Sequence, residues 1–202
     1  MLKKWFFLGL AAALSPASSW AADLPAPSPE IVYSPEPVAA RPFIEEIRLG
    51  PSGFVDERPR VRNAEKGVFI NGELIFANPI RPFDNRVLDF VLRPRPHLGA
   101  TVSTTGGTSQ AYAGLTWDLY VTDRIFLEGT FGGTVHNGGT SSTAPTGPRL
   151  GCSLLFRESA GIGFAFTRNF LAMAFIDHSS NAGLCKDNDG LTHAGVKVGY
   201  RF

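Results

Sequence analysis

His178-Ser179-Ser180 is followed at once by Asn181-Ala182-Gly183, and Asn188 lies a few residues further on. Side chains alternate along a strand, so His178 and Ser180, two apart, project from one face. A serine becomes nucleophilic near neutral pH when a neighbouring base takes its proton, and histidine is the usual base. N–H groups of Asn181, Gly183 and Asn188 are placed to stabilise the oxyanion of a tetrahedral intermediate. On an arbitrary strand, though, His-x-Ser is more often structural. The weight therefore falls on the elements that carry it.

Those elements read as strands with aqueous and apolar faces. In the last twelve residues Thr192, Ala194, Val196, Val198, Tyr200 and Phe202 share one face, and His193, Gly195, Lys197, Gly199 and Arg201 share the other. The first set suits lipid with an interfacial aromatic end, the second a barrel interior. The expected fold is all-β: an eight-stranded antiparallel transmembrane barrel. Its strands are expected at 42–50, 67–77, 91–103, 109–121, 125–136, 149–166, 170–180 and 191–202, the third starting late because Pro94 and Pro96 cannot donate to a ladder. Short turns fall at 122–124 and 167–169, longer loops at 51–66, 137–148 and 181–190. An even strand number with this alternation places both termini in the periplasm. A secreted sandwich explains the terminal aromatic residue less well.

Bulk properties agree. The 202 residues suit one domain with appendages, and a net charge of +1 leaves no footprint for a nucleic acid. Charged residues are only 18%, while glycine (22) and phenylalanine (16) are abundant, as in a barrel with glycine-rich turns and an aromatic surface. Residues 1–21 read as a secretory signal: Lys3 and Lys4, a short apolar core from Trp5 to Leu14, and a small-x-small cleavage pattern. Residues 22–42 form a proline-rich linker with six prolines, unable to hold helix or central strand. The barrel is expected over 43–202.

The run Phe175-Ile176-Asp177-His178-Ser179-Ser180-Asn181-Ala182-Gly183, then Asn188-Asp189-Gly190 and a terminal Gly199-Tyr200-Arg201-Phe202, resembles the PagL family of outer-membrane lipid A 3-O-deacylases. The likeness is specific in roughly the last 30 residues and looser around Phe156–Gly161. It implies an eight-stranded barrel in a Gram-negative outer membrane with a serine-hydrolase site on its lipid-facing wall. It implies lipid A of lipopolysaccharide as substrate, contact with outer-membrane lipid, no metal and no cofactor, and it is compatible with a homodimer. By motif position His178 is the base and Ser180 the nucleophile, with Gly183 and Asn188 where oxyanion donors are expected. One departure stands out: the family's acid, which orients the histidine, is replaced by Thr192. Threonine supplies no carboxylate. Thr192 is then a weaker hydrogen-bond partner, another acid substitutes, or the site is impaired.

Hairpin arithmetic identifies a substitute. If 149–166 and 170–180 turn about Arg168, paired positions sum to about 336, give or take one. Glu158 then lies opposite His178 or its neighbour, where same-face side chains are close. The competing reading is an interior Glu158 paired with Arg157 or another barrel arginine. Asp177, Asp187 and Asp189 rank behind it, Asp177 pointing to the wrong face. The same arithmetic sets Cys152 against Cys185, which suggests a disulfide in an oxidising compartment; the alternative is two separate thiols. His97 reads as a structural residue near a strand start, His136 as a solvent-exposed loop residue and His193 as interior. Of Arg93, Arg95 and Arg149, whose guanidinium groups match phosphate oxygens, only Arg149 lies near an outer loop. The rival to an outer-membrane esterase is a non-catalytic structural or adhesive barrel.

Overall fold

The computed structural model describes residues 42–55, 65–141 and 147–202. The expected signal at 1–21, nearly all of the linker at 22–42, and parts of two expected loops, 56–64 and 142–146, lie outside the described residues.

Eight antiparallel strands close into a barrel in sequence order, with β1 hydrogen-bonded to β8. They are β1 (Ile44–Phe54), β2 (Val68–Phe76), β3 (Arg95–Ser103), β4 (Gln110–Tyr120), β5 (Ile125–His136), β6 (Leu154–Ala165), β7 (Phe170–Ser180) and β8 (Leu191–Arg201). Closure pairs every strand on both sides and leaves no edge, the condition for a sheet to cross a bilayer. β5 and β7 run as the sequence predicts. β1 continues past its expected end, and Pro51 is tolerated because the β1–β8 ladder skips Gly50–Pro51, where Pro51 has no N–H to give. β6 starts later than expected. Arg149–Ser153 instead form a loop whose Leu150 is fully buried with Leu155 and Leu191, capping the barrel.

The connection between β2 and β3 corrects the sequence reading. Val91 and Leu92, expected to open the third strand, belong to a short helix, α1 (Arg86–Leu92). Asn85 caps it, its side chain accepting from the N–H groups of Val87 and Leu88. Pro94 ends it by disfavouring helical geometry at Arg93. α1 lies at the rim that holds both ends of the barrel, where the other connections are tight turns. The longer loops, including 181–190, gather at the opposite rim.

Alternation sorts the side chains cleanly. The interior is polar: Arg48 bridges Glu46 and Glu128, and Lys197 pairs with Glu73 at 3.1 Å. The outer wall is hydrocarbon, with Leu98, Leu127, Phe131, Ile162, Val198 and many like them exposed. In water such a surface would aggregate, whereas lipid covers it.

Candidate active site

Every serine, threonine, asparagine and glutamine of the described strands points into the barrel, save Ser180 and Thr192. These two flank the outward-facing imidazole of His178. The ladder sets Glu158 of β6 directly opposite His178 on one side and Thr192 of β8 directly opposite on the other. Paired positions between β6 and β7 sum to 336, as hairpin arithmetic requires. Glu158 faces outward and is exposed, which removes the reading of it as an interior partner of Arg157. Thus β6, β7 and β8 present Glu158, His178, Thr192 and Ser180 as one polar patch on an apolar wall. Apart from Glu45 near the opposite rim, Glu158 is the only carboxylate on the outward face of the described strands.

His178 Nδ1 is 2.8 Å from Thr192 Oγ1. Thr192 is thus a hydroxyl partner of the imidazole, as the first of the three readings of the missing acid expects. Glu158 stands beside the imidazole without a hydrogen bond to it. A hydroxyl both donates and accepts, so it does not dictate which ring nitrogen carries the proton. A carboxylate only accepts, and would force Nδ1 to hold it.

The same strands are braced from within. Asp177 accepts from Arg157 at 3.1 Å and lies 3.4 Å from His193 Nδ1, all three buried. The Arg157 guanidinium also sits 3.7 Å over the Tyr112 ring. Asp177 is therefore structural, as its parity predicts, and this inner chain fixes the backbone from which Glu158, His178 and Thr192 project. His97 is likewise interior, its Nδ1 2.9 Å from Thr116 Oγ1.

The loop 181–190 is built by Asn181. Its buried carboxamide donates to the carbonyls of Leu150 (2.8 Å) and Asp187 (2.6 Å), and its Oδ1 accepts from Gly183 N–H (2.9 Å). Leu184 N–H returns to the Asn181 carbonyl at 3.0 Å. Ala182 and Gly183 both have positive φ, 52° and 80°, so the turn is of the I′ kind, for which asparagine and glycine are the usual residues. This corrects Asn181 as an oxyanion donor: its side chain holds the loop together, and its own N–H donates to Asn188 Oδ1 at 2.9 Å. Gly183 N–H is also engaged. Asn188 differs, because its oxygen is anchored and its Nδ2 remains as a donor on an exposed side chain.

Cys152 and Cys185 form a disulfide, with Cα atoms 5.9 Å apart. It ties this loop to the segment before β6. Arg149 reinforces the tie through Asp189 (3.1 Å) and Asp187 (3.6 Å). The hydrogen bond to Asp189 and the two carboxylate charges push its pKa above the ordinary value. Asp187 and Asp189 thus serve the loop rather than the imidazole. His136, expected to be solvent-exposed, is half-buried, with Nε2 2.6 Å from the Cys152 carbonyl and Nδ1 accepting from Gly138 N–H. Arg93 and Arg95 lie at the far rim, paired with Asp89 and Asp118.

Gly190 escaped the sequence reading as a site residue. It is buried with φ +74°, and a Cβ there would stand 2.9 Å from His178 Cε1 and 3.3 Å from Nε2. It therefore packs on the Cε1–Nε2 edge of the imidazole, and only glycine fits both the backbone conformation and the space. Its place between Asn188 and Thr192 was the available signal.

Fold and site together define a membrane-type β-barrel with a histidine–serine pair on its outer wall. The family model of the lipid A 3-O-deacylases (PagL) matches residues 95–201. The chain belongs to that family, and the match spans β3 to β8, hence every strand of the site. Among solved structures, the chain is similar to the outer membrane enzyme PagL (17% identity, TM-score 0.58, 78% of this chain and 99% of that one), a likeness of fold. A fainter similarity is to Ail of Yersinia pestis (16% identity, TM-score 0.45, 80% of this chain and 100% of that one). No curated protein sequence matches the chain.

Proposed function

We propose that the protein is an outer-membrane serine esterase that removes the 3-O-linked acyl chain of lipid A. The observation that carries this is the polar patch: among the described strands, serine, threonine, asparagine and glutamine side chains turn inward everywhere except at Ser180 and Thr192, which flank His178. Exposing polar groups to lipid is costly, and such exceptions mark function. With both termini in the periplasm, the patch lies at the level of the outer leaflet, where lipid A resides.

His178 Nε2 takes the proton of Ser180 as Ser180 Oγ attacks the acyl carbonyl. The oxyanion accepts from Asn188 Nδ2, and from Gly183 N–H once substrate draws it from Asn181. Collapse breaks the ester bond; His178 returns the proton to the sugar oxygen, leaving acyl-Ser180. Water, deprotonated by His178, then attacks the acyl carbonyl; the acyl–Oγ bond breaks, His178 returns the proton to Ser180 Oγ, and the fatty acid leaves. Thr192 orients the imidazole through its hydroxyl. Mass spectrometry of lipid A from cells expressing the wild type or Ser180→Ala tests the reading. Loss of one 3-hydroxyacyl group is expected only with the wild type; identical acylation in both would refute it.

A further inference from the structure

The 77–94 connection is large for the rim it occupies, and its surface does not suit water. None of the seven residues of α1 is buried, and Val87 is 70% exposed. Ile80, Phe83, Leu88, Phe90 and Val91 are exposed with it. A single exposed apolar side chain is unremarkable, but a contiguous group of this size marks an interaction surface. The segment is nonetheless well tied. Asp89 accepts from Phe83 N–H (2.9 Å) and from Arg93 (2.7 Å), and Arg93 Nε donates to the Ile80 carbonyl (3.0 Å). Trp117, on the outward face of β4, donates to the Val91 carbonyl at 3.2 Å. That bond joins α1 to the apolar wall, so the exposed surface of the segment continues the lipid-facing surface of the barrel.

Charge indicates the depth. Arg93 and Arg95 are committed to carboxylates, but no described carboxylate pairs with Arg81 or Arg86, both exposed. Asp84 is the exposed acidic side chain beside them. Two guanidinium groups bordering an apolar surface, with a tryptophan behind it, are what an interfacial segment presents to lipid headgroups.

We propose that residues 80–92 form an in-plane membrane anchor, its apolar side chains set into the phospholipid leaflet at the rim of the termini and Arg81 and Arg86 holding headgroup phosphates. Continuity with the wall selects lipid over a second copy of the chain as the occupant. The inference rests on the barrel spanning a bilayer, independently of the chemistry at His178.

Spin labels test it on the full chain reconstituted in phosphatidylcholine bilayers containing phosphatidylglycerol. A label at Ile162→Cys reports insertion itself, one at Asp123→Cys the aqueous side of the same rim. A label at Val87→Cys is expected to collide with oxygen several-fold more often, relative to a water-soluble nickel reagent, than the label at Asp123→Cys. Equal accessibility at 87 and 123, with 162 embedded, overturns the anchor. Dipolar broadening between Val87→Cys labels overturns it in favour of a second copy. Neutralising both arginines (R81Q/R86Q) is expected to lower several-fold the preference for spin-labelled phosphatidylglycerol over phosphatidylcholine; an unchanged preference overturns the phosphate contact.

Discussion

Replacing Thr192 separates an impaired site from a working one with an unusual partner for the base. In the structure the Nδ1–Thr192 contact is a neutral hydrogen bond of 2.8 Å. Such bonds contribute about 0.5–1.5 kcal/mol net, and bonds to a charged partner about 1.5–3 kcal/mol. At about 1.36 kcal/mol per tenfold in rate, Thr192→Val should lower kcat/KM roughly 2- to 12-fold. Thr192→Glu exchanges a neutral partner for a carboxylate that only accepts, and so fixes the proton on Nδ1 and leaves Nε2 free for Ser180. The difference of about 1–1.5 kcal/mol predicts a rate roughly 5- to 12-fold above wild type. The outward face gives the longer side chain room to reach. The assay is the initial rate of fatty-acid release from lipid A by reconstituted protein, with heat-modified gel mobility as the check on folding. A double-mutant cycle with Glu158→Gln then asks whether Glu158 and Thr192 act on the same imidazole. A folded Thr192→Glu that is slower than wild type, or a Thr192→Val that matches it, would refute the orientation argument.

The other predictions concern what holds the base and the loop. Gly190→Ala puts a methyl 2.9 Å from His178 Cε1 and forces alanine into left-handed backbone at about 1–2 kcal/mol. Because a displacement of about 1 Å costs on the order of a hundredfold, kcat/KM should fall tenfold or more in a barrel that still folds; wild-type kinetics would show that the contact has no bearing on catalysis. Cys152→Ser/Cys185→Ser opens a tie between residues 33 apart, for which chain entropy implies roughly 3–4 kcal/mol. The effect should concentrate at the loop, as faster amide exchange over 181–190 and reduced turnover, with the mid-strand amides unchanged; unaltered exchange in the loop would count against the clamp.

Most of the barrel was legible because period-two alternation is a strong signal when one face meets lipid and the other a polar interior. β5 and β7 carry that alternation between clear turns, and their ends follow from it. The β6–β7 register was legible to within one residue for the same reason: a tight turn at Arg168 leaves little freedom, so Glu158 was expected opposite His178 or its neighbour, and it pairs with His178. α1 was missed because Val87–Leu92 is a short apolar run, which periodicity alone does not assign to strand or helix; the cap at Asn85 and Pro94 beyond were the discriminating cues. Asn181 was put forward for its nearness to His178 and Ser180, which reveals a donor's type but not where its hydrogens go. Only the fold shows Leu150 and Asp187 closing around it. Gly190 needed a positive φ and a neighbour in space, and neither is written in its immediate sequence.

Thr192 and Glu158 together change what the family's acid means in this chain. An acid at position 192 would combine two tasks in one group: holding the ring in place and stabilising its positive charge. In the proposed reaction the tasks would be divided between two strands. Thr192 lies in hydrogen-bond reach and can orient the ring but carries no charge. Glu158 places a carboxyl group across the ladder but makes no hydrogen bond to the ring. The division is workable because both neighbours are fixed by ladder pairs and braced by the buried Arg157–Asp177–His193 chain. It also leaves the proton free to sit on either nitrogen, a weakness that a single carboxylate at 192 would remove.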